Sequence, residues 1–169
     1  PDSQRVILNY QMSALLSPEI QSVAIDGTDR QTLYTQSGSV QVGMLEVSHD
    51  GQWVLFQDSW AQTTLRLPIG GGGATPMNIS AFPLFTGDGQ RAISLAIDPA
   101  KGQNAAPDLY SVGIADLSRR NLTTLEPGAA LDEWSRVGPD GSTIAYVVVH
   151  TYGAETRREI RLTDGDAGR

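Results

Sequence analysis

The chain contains four apolar runs, and each one follows a short polar turn. The runs lie at 6–8 (VIL), 53–56 (WVLF), 92–97 (AISLAI) and 143–149 (TIAYVVV). They are rich in β-branched and aromatic residues and are bounded by turn residues, which is typical of buried strands. The pattern therefore predicts four central β-strands.

The turns before these runs share an aspartate. They are centred on Asp2, Asp50-Gly51, Asp88-Gly89 and Asp140-Gly141. Asp-Gly between apolar stretches is a strong hairpin signal, because glycine accepts positive φ and the aspartate can bond its own backbone. Apolar stretches at 42–47, 81–85 and 131–137 precede the last three turns, whereas nothing comparable precedes Asp2. We therefore interpret these aspartates and glycines as structural turn residues.

Further strands are expected after each central strand. Third strands are predicted at 20–25, 64–67, 109–114 and 159–162, and outer strands at 30–33, 75–79 and 120–125. This gives three strands in the first repeat, four in the second and third, and three in the last. No sustained helical stripe competes with the assignment, because glycine and proline interrupt the chain too often. The architecture is predicted to be all-β.

The repeat resembles the PD40 blade of TolB-like β-propellers: an aspartate turn, an apolar strand, a third strand, an Asp-Gly turn and an outer strand ending in Leu-Thr. His49 and Gly87 stand where that family has proline, and Ser3 stands where it has glycine. The resemblance implies a single partial propeller domain, residues 1–169, with four-stranded antiparallel blades at about 1–38, 39–80, 81–127 and 128–169. The first and last blades would be incomplete, within a ring of six to eight blades.

The two incomplete blades do not complement each other. The first lacks its inner strand and the last lacks its outer strand, yet the last already has an inner strand of its own. Ring closure normally pairs a strand from one terminus into the other terminal blade and removes exposed edges. Two interpretations remain open: the chain is part of a larger propeller, or copies of it complete each other. The chain opens at Pro1 without a methionine, and we expect a processed or partial product.

Charge and composition argue against several kinds of partner and site. A net charge of −7 and a pI near 4.6 argue against nucleic acid as a partner, because that affinity depends on lysine and arginine. The chain has no cysteine, which excludes disulfides and thiolate sites. No apolar run approaches the roughly 20 residues that a membrane-spanning helix needs.

Catalytic and ligand motifs are not found in the sequence. There is no Gly-x-Ser-x-Gly elbow, and the two histidines, His49 and His150, fall in a predicted turn and at a predicted strand end. Asp164-Gly165-Asp166 lacks the further oxygen ligands of a calcium loop. The run Gly70–Gly73 lacks the Lys-Ser/Thr of a phosphate loop. We therefore expect no catalytic residue, no metal site, no cofactor and no enzymatic activity in this chain.

Two aromatic residues are candidates for partner binding. Trp60 and Tyr152 fall in predicted loops at 57–62 and 150–157, after the central strands. A large aromatic residue in a loop can anchor a partner protein, although local loop packing is the alternative. The insertion at 98–108 is a further candidate for a variable binding loop.

The resemblance to TolB-like propellers implies a non-catalytic protein-binding or scaffold domain in an extracytoplasmic, periplasmic or cell-surface, bacterial setting. Its partner would be another protein or the remaining propeller blades. One alternative is the substrate-gating propeller of a prolyl-oligopeptidase-type serine peptidase whose catalytic domain is absent here. Another is a structural subunit of a larger envelope or membrane-associated assembly. Propellers host many functions, so fold alone does not decide among these classes.

Overall fold

Aspartate turns and alternating apolar positions produce the expected hairpins in the computed structural model. The structure describes residues 4–10, 17–36, 42–58, 63–79, 83–102 and 105–165. Over these residues the chain forms fourteen β-strands and one 3-10 helix, Pro99–Lys101. It divides into two units, Pro1–Ala81 and Phe82–Arg169, which we describe separately.

The first unit contains two antiparallel sheets. Sheet 1 has the order β1-β2-β3 and sheet 2 the order β4-β5-β6-β7. Their strands are β1 (Arg5–Tyr10), β2 (Glu19–Ala24), β3 (Gln31–Thr35), β4 (Val42–Val47), β5 (Trp53–Asp58), β6 (Thr63–Pro68) and β7 (Thr75–Pro76). The core between them joins Ile20 of sheet 1 to Val54, Phe56, Leu65 and Leu67 of sheet 2, with Ile7 packed against it.

The second unit repeats this plan. Sheet 3 has the order β8-β9-β10-β11 and sheet 4 the order β12-β13-β14. Their strands are β8 (Leu84–Phe85), β9 (Arg91–Ala96), β10 (Asp108–Gly113), β11 (Arg119–Asn121), β12 (Ala129–Val137), β13 (Thr143–Tyr152) and β14 (Glu155–Asp164). The core joins Ile93 and Leu109 of sheet 3 to Ile144, Tyr146 and Val148 of sheet 4.

The predicted all-β class is confirmed. Over the described residues the four sheets contain three, four, four and three strands, as the turn pattern predicts. Two of the three predicted outer strands, β7 and β11, are shorter than expected, and β7 pairs with β6 only through Leu65↔Pro76 and Arg66↔Thr75. Pro76 has no N–H to donate, and beyond it the pairing is irregular: the Met77 N–H donates to the Thr64 carbonyl at 2.9 Å, and the Thr64 N–H donates to the Ile79 carbonyl at 3.1 Å. Whether residues 1–169 act as one domain stays a prediction.

One expected loop is a pair of strands instead. Residues 150–157 are predicted to form a loop, between the strands predicted at 143–149 and 159–162. In the structure, β13 runs through Tyr152 and β14 starts at Glu155. A strand pair exposed on both faces has no buried side that would require apolar residues at alternate positions. The sequence therefore shows no strand pattern here, although the backbone pairs.

Candidate binding surface

In two of the aspartate turns, the carboxylate accepts a backbone hydrogen bond from within its own turn. Oδ1 of Asp50 accepts the backbone N–H of Gln52 at 3.0 Å, and Oδ1 of Asp88 accepts that of Gln90 at 3.0 Å. The hydroxyl of Ser48 also donates to Asp50 at 2.6 Å. Each carboxylate therefore closes its own turn, which is the Asx geometry that aspartate favours. The related Asp2 lies outside the described residues.

The Asp140 turn is closed more tightly. Its Oδ1 accepts the backbone N–H groups of Ser142 and Thr143 at 3.1 and 2.9 Å, and its other oxygen accepts the Thr143 hydroxyl. These bonds, led by the one from that hydroxyl, lower the pKa of Asp140. Gly141 follows at a φ of +73°, a conformation that is readily open only to glycine. Asp140 is thus engaged within its own hairpin.

The backbones of the Asp88 and Asp140 turns are in direct contact. The N–H of Gly87 donates to the carbonyl of Gly141 at 2.7 Å. A Cβ added at Gly87 would lie 2.5 Å from the Gly141 Cα, and one added at Gly141 would lie 2.6 Å from the Gly87 Cα. Only glycine fits both positions, which gives a physical reason for Gly87 where the PD40 pattern has proline.

The opposite end of sheet 4 projects as a ribbon. β13 and β14 pair without interruption from Thr143↔Asp164 to Tyr152↔Glu155. Gly153, the first residue of the connecting turn, has a φ of +61°, as a tight type II′ hairpin turn requires. The inner strand β12 pairs with β13 only as far as His150. Residues 151–156, which we call the ribbon tip, therefore extend beyond the three-stranded part of the sheet.

An exposed aromatic side chain occupies the ribbon tip. Tyr152 is 65% exposed. Its ring lies parallel to that of His150, with an interplanar angle of 3° and a centroid separation of 6.1 Å. Nε2 of His150 lies 3.6 Å from a carboxylate oxygen of Glu159. Tyr152 is thus held at one side and open to solvent at the other.

A charged cluster supports the ribbon behind the tip. The guanidinium of Arg161 bonds Glu126 at 3.0 Å and Glu159 at 3.1 Å. The Arg161 hydrogen bond is the main cause lowering the pKa of each glutamate, and the two glutamates raise the pKa of Arg161. All three groups are therefore charged at neutral pH, and they connect the ribbon to the segment that precedes β12.

The insertion at 98–108 lies between β9 and β10 and is fastened by an ion pair. Nζ of Lys101 lies 2.5 Å from Oδ2 of Asp108, whose side chain is 2% exposed. The Asp108 bond raises the pKa of Lys101. Tyr110 lies nearby under the guanidinium of Arg119, 4.9 Å from the ring centroid. Burial, followed by the charges of Asp98 and Asp108, raises the pKa of Tyr110.

One face of sheet 4 is bare. Ile160 and Leu162 of β14 are 75% and 68% exposed, with Val147 and Ala145 opposite them on β13. The equivalent strand β10 of sheet 3 is buried along its whole length. The sequence identified β14 as a strand but gave no sign of this exposure, because two isoleucine or leucine residues in a strand normally indicate burial.

Among the residues that the structure describes, no group of three or more His, Asp or Glu side chains could hold a metal ion. His49 lies in the exposed turn before β5. No helix in the described part of the chain is long and apolar enough to cross a membrane. Trp60 falls outside the described residues, and partner binding by Tyr152 stays a prediction.

No family model matches the sequence, and no curated protein matches it either. Solved structures do match the fold. TolB from Acinetobacter baumannii superposes with a TM-score of 0.56 at 13% identity, over 95% of this chain and 40% of its own. An oligogalacturonate lyase from Vibrio parahaemolyticus superposes with a TM-score of 0.65 at 15% identity, over 95% of this chain and 47% of its own.

A puromycin-hydrolyzing peptidase from Mycobacterium tuberculosis gives a TM-score of 0.64 at 13% identity, over all of this chain and 26% of its own. The chain thus spans less than half the length of each of these three proteins. At these identities the similarity establishes a TolB-like propeller fold and nothing about activity.

Proposed function

We propose that this chain is a non-catalytic, protein-binding propeller segment in an extracytoplasmic location, and that it binds its partner through the end of sheet 4 that carries the ribbon tip. The observation that carries this proposal is the difference between the two ends of that sheet. At one end, the Asp140 carboxylate accepts hydrogen bonds from its own turn. At the other end, a paired ribbon holds Tyr152 65% exposed.

The geometry of the ribbon suits an anchor residue. A tyrosine supplies a large contact area with few rotatable bonds, so ordering it on binding costs little entropy. The stacked ring of His150 and the pairing of Tyr152 with Glu155 of β14 limit its orientations further. Functional residues on loops carried by a rigid scaffold are a common arrangement.

The ion pairs of the second unit support a binding role over a catalytic one. Glu126, Glu159 and Arg161 are bound to each other, and Asp108 is bound to Lys101. A general acid or base needs a pKa near the working pH, whereas the shifts here favour the charged forms of Glu126, Glu159, Arg161 and Lys101. These ion pairs therefore have a structural role, since they fix the positions of the side chains that form them.

Site-specific photo-crosslinking in the native host tests the proposal. The photoreactive residue p-benzoylphenylalanine replaces Tyr152 in one variant and Ile25, an isoleucine 69% exposed in the turn after β2, in the matched control. We expect a discrete protein adduct from position 152 that is absent from position 25. Cell fractionation of the same strains tests the location. Absence of an adduct at 152, or an identical pattern at both positions, would contradict the proposed binding end.

A second candidate function is the substrate-gating propeller of a serine peptidase. It is favoured by the structural match over the whole of this chain to part of a puromycin-hydrolyzing peptidase. Sequencing the parent gene distinguishes the two candidates: a downstream region with a Gly-x-Ser-x-Gly elbow, together with peptidase activity of the full product, would favour the second.

A further inference from the structure

The ribbon tip carries a cross-strand pair of a tyrosine and a glutamate. Tyr152 is the last residue of β13 and pairs with Glu155, the first residue of β14. Residues paired in this way lie on the same face of a sheet, with their Cβ atoms about 5 Å apart. Both side chains are exposed. An aromatic ring and a carboxylate are therefore presented together on one face of the ribbon.

This face is the one that is turned towards sheet 3. Side chains alternate along a strand, so Tyr152 lies on the same side of β13 as Tyr146 and Val148, which pack on sheet 3. Ile160 and Leu162 pair with residues of β13 that point to the other side. Tyr152 is thus exposed although the sheet that its face is turned to belongs to the described chain.

Neither member of the pair holds a cation. Among the residues that the structure describes, no arginine or lysine lies over the Tyr152 ring, and none forms an ion pair with Glu155. The guanidinium of Arg161 is bound by two glutamates away from the tip, and the charge of Arg157 acts on one of them, Glu159. An open ring and an open carboxylate thus lie side by side.

Sheet 1 contains the same kind of pair with a cation on it. Tyr10 is the last residue of β1 and pairs with Glu19, the first residue of β2. The guanidinium carbon of Arg30 lies over the Tyr10 ring, 5.5 Å from its centroid. Glu19 accepts hydrogen bonds from Gln21 and Thr32 instead. At the equivalent place in another sheet of this chain, the tyrosine therefore carries an arginine.

A tyrosine of sheet 3 repeats the arrangement with carboxylates close by. Arg119 lies over the ring of Tyr110 at 4.9 Å from the centroid, and the charges of Asp98 and Asp108 act on that tyrosine. A guanidinium is attracted to the face of an aromatic ring by the ring quadrupole and to a carboxylate by charge and hydrogen bonding. Tyr152 and Glu155 offer the same two attractions without an arginine of the described chain to use them.

We propose that Tyr152 and Glu155 bind an arginine side chain of the partner protein, with the guanidinium over the ring and paired with the carboxylate. This inference rests on the proposed function and names the chemistry that the ribbon tip recognises. Arginine suits the site better than lysine, because its planar guanidinium stacks on a ring and pairs with a carboxylate through a fixed fork of donors. The net charge of −7 also favours the approach of a basic partner segment.

Nuclear magnetic resonance of the purified protein with ring-labelled tyrosine tests the site. The probe is the blocked tripeptide acetyl-Gly-Arg-Gly-amide, and the matched control contains citrulline, in which a neutral urea group replaces the guanidinium. We expect the Tyr152 signal, assigned with the variant Tyr152→Leu, to shift with the arginine peptide and not with the citrulline peptide. The signals of Tyr10 and Tyr110 should stay unchanged, because arginines of the chain already lie over those rings.

A charge-neutral variant tests the contribution of the carboxylate. Glu155→Gln should weaken binding of the arginine peptide by about twofold to fivefold, the ratio expected for the loss of an exposed ion pair. Glu46→Gln, in β4 of the first unit, is the control for the same change in net charge and should bind as the wild type does. An equal response of Tyr152 to both peptides, or wild-type binding by Glu155→Gln, would overturn the proposal.

Photo-crosslinking in the native host then tests whether the partner supplies the arginine. p-Benzoylphenylalanine at position 154 leaves Tyr152 and Glu155 in place, and mapping of the adduct should find an arginine beside the crosslinked residue of the partner. Glu155→Arg should abolish this adduct, and replacing the partner arginine by glutamate should restore it. An adduct on a segment without arginine would overturn this inference and leave the proposed function standing. Absence of an adduct from both 152 and 154 would contradict the proposed function and, with it, the partner as the source of the arginine.

Discussion

Replacing Gly87 by alanine places a methyl group where the backbone of the neighbouring turn already lies. The added Cβ would be 2.5 Å from the Cα of Gly141. The obstacle is main chain rather than a flexible side chain, so the two turns must separate. Separation also breaks the 2.7 Å hydrogen bond from the Gly87 N–H to the Gly141 carbonyl.

The size of the effect follows from these two contributions. Forcing an extra carbon into a filled site costs typically about 1–3 kcal/mol, and losing a backbone hydrogen bond costs about 1 kcal/mol. The free energy of unfolding should therefore fall by about 2–4 kcal/mol, a large share of the roughly 5–15 kcal/mol of a typical domain. With a urea m-value of about 2 kcal/mol/M, the unfolding midpoint should fall by about 1–2 M.

Urea unfolding followed by circular dichroism measures this shift, and amide hydrogen exchange of β9 and β13 locates it in the second unit. Gly73→Ala is the matched control, because a Cβ there meets nothing within 4 Å; its free energy of unfolding should stay within about 0.5 kcal/mol of the wild-type value. In the double variant Gly87→Ala/Gly141→Ala, the costs should not add, since both methyl groups open the same contact. A wild-type midpoint for Gly87→Ala would refute the reasoning.

Three further predictions concern the turns and the core. Replacing Asp140 and Gly141 by valine should lower the thermal midpoint, and an unchanged midpoint would count against the hairpin assignment. Because the pKa of Asp140 is lowered in the folded state, the difference in midpoint between wild type and variant should shrink as pH falls below about 4. A difference that is constant with pH would contradict this. Leu109→Ala should cost about 2–5 kcal/mol in urea unfolding, since Leu109 is fully buried between sheets 3 and 4. Lys101→Met should lower the thermal midpoint more than Asp108→Asn, because only the former leaves a buried carboxylate without its cation; the reverse order would disprove the role of that pair.

The strand arrangement was predictable from sequence because its signals are local. An aspartate followed by glycine sets a hairpin within four residues, and the alternation beside it places the paired strands. Asp50 and Asp88 each form the expected bond to the backbone two residues later. The division into three, four, four and three strands follows from repeating that unit.

The features that the sequence could not predict depend on distant contacts. Gly87 was visible only as a departure from the family pattern, and its reason is the approach of Gly141 in another sheet. Ile160 and Leu162 are exposed because none of the four described sheets covers that face of β14, and the apolar character of the two residues does not reveal this. The ribbon tip was missed because a strand pair exposed on both sides carries no pattern of burial; the only local sign was Gly153 at the first position of a two-residue turn.

The contact between Gly87 and Gly141 also limits how this protein can change. Every substitution at either residue adds a Cβ against main chain, so the spacing of the two turns cannot be adjusted by exchanging side chains. Sequence variation between related chains should therefore accumulate at the other end of these two sheets, where lengthening the 98–108 insertion or the ribbon tip disturbs no such contact. A protein built this way can acquire a new partner by altering one end while the other end preserves the arrangement of its sheets.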